Sequence, residues 1–77
     1  MTKEKKVLRQ IVSNIFGIDT TQYEILDLIL DNYTDKVKIG KIEDNKTHIH
    51  GTFENDIVSV EKEPLHEMYD IFYEILN

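Results

Sequence analysis

The chain has 77 residues, a formal net charge of −6 and no cysteine. A chain of this length has room for one hydrophobic core, so residues 1–77 are predicted to form a single domain, and a disulfide framework is excluded. No apolar run approaches the eighteen or so residues of a membrane span and no cleavage-site pattern follows the first residues, so we expect a cytoplasmic protein.

The first predicted element is an amphipathic helix over residues 3–16. Val7, Leu8, Ile11, Val12 and Ile15 recur at helical spacing, with basic residues mostly on the other side. The glycine that follows at position 17 is typical of a helix end. A second helix is predicted over residues 22–33, because Thr21 followed by Glu24 has the spacing of a capping box.

The middle of the chain changes to the alternating period of strands. Val37 and Ile39 alternate with lysines, and Asp44-Asn45 has the composition of a hairpin turn. The run from His48 to Phe53 predicts a second strand, and "IVSVE" after a turn at Glu54 to Asp56 predicts a third. Pro64 suits the start of a last helix over residues 64–76.

These elements predict an α+β domain with the order ααβββα, in which two amino-terminal helices precede a three-stranded antiparallel meander and a carboxyl-terminal helix. His48 and His50 would share the outer face of the second strand, opposite Ile49 and Phe53. We interpret that pair as a solvated strand face. A metal-dependent enzyme would need a third ligand, which no nearby residue is spaced to supply.

No nucleophile context, phosphate loop or cofactor fingerprint is present, so we expect neither an enzyme nor a bound cofactor.

The charged residues are more informative about function, because they are distributed in blocks along the chain. Residues 1–18 sum to +3, residues 19–35 to −5, residues 36–53 to +2 and residues 54–77 to −6.

Both acidic blocks contain a carboxylate stripe at the helical spacing i, i+3, i+7. The stripe of the second helix comprises Glu24, Asp27 and Asp31, and that of the last helix comprises Glu67, Asp70 and Glu74. In each stripe the side chains fall within roughly 60° of one another, without a base at i+4. We interpret the stripes as partner-binding residues that present anions to a basic surface. The alternative is an accessory protein whose acidic surface serves only solvation.

The apolar faces of these two helices are broader than a one-sided surface helix needs. A homodimer is therefore predicted, with Tyr23, Tyr69 and Tyr73 at the interface. A second alternative function is a nucleic-acid-binding regulator that uses the lysines of the meander, Lys36, Lys38, Lys41 and Lys46. The acidic net charge argues against direct nucleic-acid binding.

The paired stripes "E-x-x-D-x-x-x-D" and "E-x-x-D-x-x-x-E" and the small acidic chain resemble the host-inhibitor proteins that phages encode. Eleven isoleucines and no alanine indicate a low-GC bacterium or its phage as the source. Some proteins of this class mimic DNA on a DNA-handling target, including the replicative sliding clamp. The resemblance implies an inhibitor that blocks a basic, DNA-binding surface of a host protein.

Overall fold

The computed structural model describes residues 1–77 and contains three helices and three strands. The helices are α1 (Lys3–Phe16), α2 (Tyr23–Leu30) and α3 (Lys62–Leu76), and the strands are β1 (Val37–Ile39), β2 (His48–Phe53) and β3 (Asp56–Glu61). Two single 3₁₀ turns, Thr20–Gln22 and Thr34–Lys36, precede α2 and β1. The predicted α+β class and the order ααβββα are confirmed.

The core lies between the helices and one face of the sheet. Val58 and Val60 of β3 and Val37 of β1 contribute the sheet side and are almost fully buried. The remaining buried apolar residues come from the helices and from the turn after α1: Val7, Leu8, Val12, Ile18, Leu26, Ile29, Leu30, Leu65, Met68 and Phe72.

Helix α1 has the predicted bounds because both of its ends are capped. The Thr2 hydroxyl accepts a hydrogen bond from the Lys5 amide at 3.3 Å. Gly17 has a φ of 67°, a left-handed conformation that glycine adopts without a steric penalty. The amides of Gly17 and Ile18 both donate to the carbonyl of Ser13, and Ile18 is buried against the core.

Helix α2 is shorter than the predicted 22–33, and the predicted capping box is wrong. Asp19, not Thr21, caps this region, since its carboxylate accepts a hydrogen bond from the Thr21 amide at 2.7 Å. It also accepts one from the Thr21 hydroxyl, and these hydrogen bonds lower the pKa of Asp19. The Asp19 carboxylate therefore caps a 3₁₀ turn that leads into α2, and the N-cap of α2 itself, Gln22, makes no side-chain capping hydrogen bond.

The strand order is β1-β3-β2, so the sheet is antiparallel but is not a sequential meander. β3 is the central strand, and β1 and β2 both pair with it. The predicted hairpin at Asp44-Asn45 is therefore wrong. Asp44 instead caps a turn that leads into β2, because its carboxylate accepts hydrogen bonds from Thr47 and from the Lys46 amide. These hydrogen bonds, the Thr47 amide first, lower the pKa of Asp44.

The connection between β1 and β2 covers the outer face of β3. The Ser59 hydroxyl donates to the Lys41 carbonyl at 2.7 Å and accepts from the Glu43 amide at 3.3 Å. Ser59 is consequently fully buried although it points away from the helices. A polar residue at this strand position is satisfied by the loop backbone.

The predicted turn between the last two strands is present and forms a tight hairpin. Glu54 and Asn55 have φ values of 49° and 73°, the double positive φ of a type I′ turn. In the resulting register Ile49 lies opposite Val60 on the core face, and His50 lies opposite Ser59 on the outer face. The predicted division of β2 between two faces is confirmed.

Helix α3 begins two residues before the predicted start, at Lys62. Pro64 then lies in the first turn, where the missing amide would have had no helical partner. No helix of the chain is both long enough and apolar enough to cross a lipid bilayer.

Leucines at positions 26 and 28 provide a matched test of this core. Leu26 is fully buried, whereas Leu28, two residues later on the same helix, is 70% exposed. We expect Leu26→Ala to lower the free energy of unfolding by about 2–5 kcal/mol, because it leaves a cavity. Leu28→Ala should change it by less than about 0.5 kcal/mol. Urea unfolding measures both, and equal losses would contradict the packing described.

Candidate functional site

Helices α1 and α2 lie side by side with opposite charges facing each other. The Arg9 guanidinium donates to both Asp27 carboxylate oxygens, from Nε at 2.9 Å and from Nη2 at 2.5 Å. One turn away, Nζ of Lys5 on α1 lies 2.6 Å from Oδ1 of Asp31, the residue that caps the end of α2. Because position 5 meets position 31 while position 9 meets position 27, the two helices run antiparallel. The +3 and −5 blocks are thus complementary within one chain.

Arg9 is held in place from a second direction. Its guanidinium carbon lies 5.0 Å from the ring centroid of Tyr23, a cation–π distance. The Tyr23 hydroxyl is 3.2 Å from the buried Ser13 hydroxyl, to which it donates. The hydrogen bond to Asp27 raises the pKa of Arg9. Tyr23, predicted at a dimer interface, therefore packs in the contact between α1 and α2.

The stripe of α2 is consequently not the free row of anions that the sequence predicted. Asp27 and Asp31 are neutralised by Arg9 and Lys5, and only Glu24 is exposed without an ion pair. Counting bases at i+4 within one helix could not detect partners that arrive from a neighbouring helix.

The stripe of α3 has a different environment. Glu67, Asp70 and Glu74 are all exposed, and none of them forms an ion pair. Lys62, the only lysine of the helix, donates to the Asn45 carbonyl at 2.8 Å.

Glu63 belongs to the same row, although the predicted stripe does not include it. It is exposed and unpaired, and it precedes Glu67 by four residues on the same helix. The predicted helix began at residue 64, so position 63 lay outside it. We call Glu63, Glu67, Asp70 and Glu74 the α3 carboxylate row. It lies within an arc of roughly 60° and spans about 16 Å along the helix axis at about 1.5 Å per residue.

An apolar groove runs beside this row, between α2 and α3. We call it the α2/α3 groove, and its volume is about 290 Å³. The residues that line it are Leu28, Ile29, Asn32, Tyr33, Ile71 and Ile75. The Tyr33 hydroxyl connects the groove to the row, since it lies 3.4 Å from Glu67 Oε2. Burial, followed by the neighbouring Glu67 carboxylate, raises the pKa of Tyr33.

The other two tyrosines of the predicted dimer interface lie on the opposite side of α3. The Tyr69 ring packs against Phe16 of α1 at a centroid distance of 4.4 Å and against Tyr73 at 5.1 Å. Burial, with Tyr73 beside it, raises the pKa of Tyr69. Tyr73 is 53% exposed. A homodimer through Tyr69 and Tyr73 stays a prediction.

The histidine pair lies on the outer face of the sheet. His48 Nδ1 is 2.8 Å from the Thr47 hydroxyl and 3.8 Å from an Asp44 oxygen. The structure contains no group of three or more His, Cys, Asp or Glu side chains arranged to hold a metal ion.

The lysines proposed for the nucleic-acid alternative are dispersed. Lys36 lies 3.9 Å from Glu61 Oε2 and 3.7 Å from Asp35 Oδ2, so it is partly neutralised. Lys38 is on β1, whereas Lys41 and Lys46 lie on the connection to β2, interrupted by two acidic residues at positions 43 and 44. This arrangement gives phosphate no continuous basic surface.

Comparison with protein-family models, with curated proteins and with solved structures found no significant match.

A double-mutant cycle tests the pairing between α1 and α2. We expect Arg9→Met and Asp27→Asn to show a coupling energy of about 0.5–1 kcal/mol in chemical denaturation, because the pair is bidentate but partly exposed. The coupling should decrease in high salt. A coupling near zero at low salt would show that Asp27 is not held by Arg9.

Proposed function

We propose that this protein is a small acidic protein-binding inhibitor, phage-encoded and acting in the bacterial host cytoplasm. It blocks a basic, DNA-binding surface of a host DNA-replication or DNA-handling protein. The α3 carboxylate row occupies the positions that DNA phosphates would take on that surface. The target is a protein, and the inhibitor itself does not bind nucleic acid.

The observation that carries the proposal is the unpaired state of the α3 carboxylate row. Like charges at i, i+3 and i+4 cost a helix a few tenths of a kcal/mol per pair. α1 and α2 relieve such repulsion because the bases of α1 pair with the acids at α2, whereas the carboxylates of α3 form no ion pair. A row that repels itself and remains exposed is explained by a partner that supplies the missing cations.

The proposed binding residues differ from the sequence prediction. Glu67, Asp70 and Glu74 remain in the set, Glu63 joins it, and Asp27 and Asp31 leave it because their charges are already compensated. Glu24 stays as a single free carboxylate on α2, on the other side of the groove.

Charge explains how such an inhibitor competes with DNA. Double-stranded DNA presents a dense line of phosphates, so its partners carry surfaces of lysine and arginine. A rigid helix with the four carboxylates of the row over about 16 Å attracts the same cations, and electrostatic attraction accelerates the encounter. Resemblance to phage inhibitors makes the DNA-lined channel of a bacterial sliding clamp the first target to test.

Reversal of the row is the decisive variant. We expect Glu67→Lys/Asp70→Lys/Glu74→Lys to weaken target binding at least about tenfold while the domain stays folded. The attraction between exposed carboxylates and the basic target becomes repulsion between like charges. The matched control is Asp35→Lys/Glu43→Lys/Glu54→Lys, which has the same net charge but changes carboxylates outside α3, on the connections that flank the three strands. Affinity is measured by surface plasmon resonance against a purified sliding clamp and against the DNA-binding proteins captured from a nuclease-treated low-GC bacterial lysate.

The control should bind like the natural protein, and binding should weaken as salt is raised. The natural protein should also displace DNA from the captured target. Equal affinity of the row variant and the control would contradict the proposal. Retardation of DNA by the protein itself in a low-salt gel shift would favour the nucleic-acid alternative.

A further inference from the structure

The α2/α3 groove is an apolar surface with no partner in the chain. Leu28 is 70% exposed, Ile75 is 56% exposed and Ile71 is 37% exposed, and all three line the groove. A small monomeric protein rarely leaves large aliphatic side chains together at the surface without a use for them.

Carboxylates border the groove on both sides. On α3, Glu67 lies four residues before Ile71, and Glu74 lies three residues after it, so both flank this side chain. Glu24 of α2 and Asp31, the C-cap of that helix, flank Leu28 in the same way. Lys5, the base that contacts this border, is already held by Asp31.

This border argues against a second copy of the chain as the occupant. A two-fold dimer would bring identical surfaces together, so carboxylates would face carboxylates around an apolar centre. Like charges opposed in an interface are costly. Helix α2 contains no lysine or arginine, and the one lysine of α3, Lys62, already donates to the Asn45 carbonyl. The surface that would complement this groove and its anionic border is an apolar stripe bordered by cations.

We propose that the α2/α3 groove binds a cationic amphipathic helix of the target protein. Leucine-like side chains at i, i+3 or i+4 and i+7 enter between Leu28, Ile71 and Ile75, and the flanking lysines or arginines pair with the α3 carboxylate row and with Glu24. This is the helix-in-groove mode of recognition with an anionic border. The inference rests on the proposed function, because it names the segment of the target that the same face would bind.

The groove and the row divide the recognition between them. Charges attract the basic segment and set its orientation, whereas apolar burial in the groove resists salt and slows dissociation. A partner that offered cations alone, such as an extended polylysine segment, would leave the groove empty. The inference therefore requires that the order of apolar and basic residues in the partner matters, in addition to its net charge.

The test uses a fluorescein-labelled helix of leucine and lysine, about 18 residues long, with leucines at i, i+3, i+4 and i+7. One control peptide has the same composition in scrambled order, and another replaces every lysine by glutamate. Fluorescence anisotropy measures binding to the natural protein and to three variants. The groove variant is Leu28→Gln/Ile75→Gln, and its matched control is Ile42→Gln/Ile57→Gln, which alters two other exposed aliphatic residues on the sheet side. The third is the row variant described above.

We expect the leucine–lysine helix to bind the natural protein and the matched control equally. The scrambled peptide should bind the natural protein at least about tenfold more weakly than the leucine–lysine helix does, and the groove variant should bind that helix at least about tenfold more weakly than the natural protein does. The glutamate peptide should not bind. Circular dichroism verifies that the groove variant is folded, and Ile75→Gln alone, in the last turn of α3, serves as a milder second variant.

Equal binding of the helix and its scrambled control, or an unchanged affinity of the groove variant, would overturn the inference. If the row variant alone loses binding, the inference fails while the proposed function stands. If neither variant changes the affinity, both fail. A natural protein that sediments as a dimer and becomes monomeric in the groove variant would assign the groove to a second copy, which also overturns the inference.

Discussion

Two basic side chains of α1 neutralise two acidic side chains of α2, and this pairing decides which charges of the molecule remain free. Arg9 and Lys5 are one helical turn apart, as are Asp27 and Asp31, so two antiparallel helices bring both pairs into register. The net charge of −6 is therefore not spread evenly over the surface. Its largest uncompensated concentration on one element is the row on α3.

The broad apolar arc that the sequence predicts for helix α3 is divided in the structure into three surfaces. Met68 and Phe72 enter the core, Tyr69 packs on Phe16 of α1, and Ile71 and Ile75 remain in the groove beside α2. The carboxylate row occupies the rest of the circumference. An anionic row with an apolar groove alongside has the composition of a binding face, in which apolar contacts supply affinity and charge supplies orientation.

Local patterns in the sequence predict the elements well but do not predict their neighbours. The helical periodicity and Gly17 define α1, and the alternation around His48 and His50 gives the correct faces of β2, because these features depend on residues close in the chain. The strand order was not predictable in this way, since β1 pairs with a strand about twenty residues later and the connection crosses β3 instead of turning back.

The candidate site was predicted in part for the same reason. The exposed carboxylates of α3 follow from helical spacing alone, whereas the compensation of Asp27 and Asp31 depends on the packing of α1 against α2. A signal for that packing was present in the sequence. Bases at positions 5 and 9 and acids at positions 27 and 31 share the i, i+4 spacing, which two antiparallel helices can match.

The central claim is that the free anionic surface lies on α3 because α1 has compensated α2. Titration of the ¹⁵N-labelled protein with tetralysine, followed by two-dimensional NMR, tests it most directly. Amide shift changes should concentrate in residues 62–76 and remain small in residues 3–9 and 26–30. Changes of equal size along α2 and α3 would show that Asp27 and Asp31 are still available to an external cation, and would contradict the account.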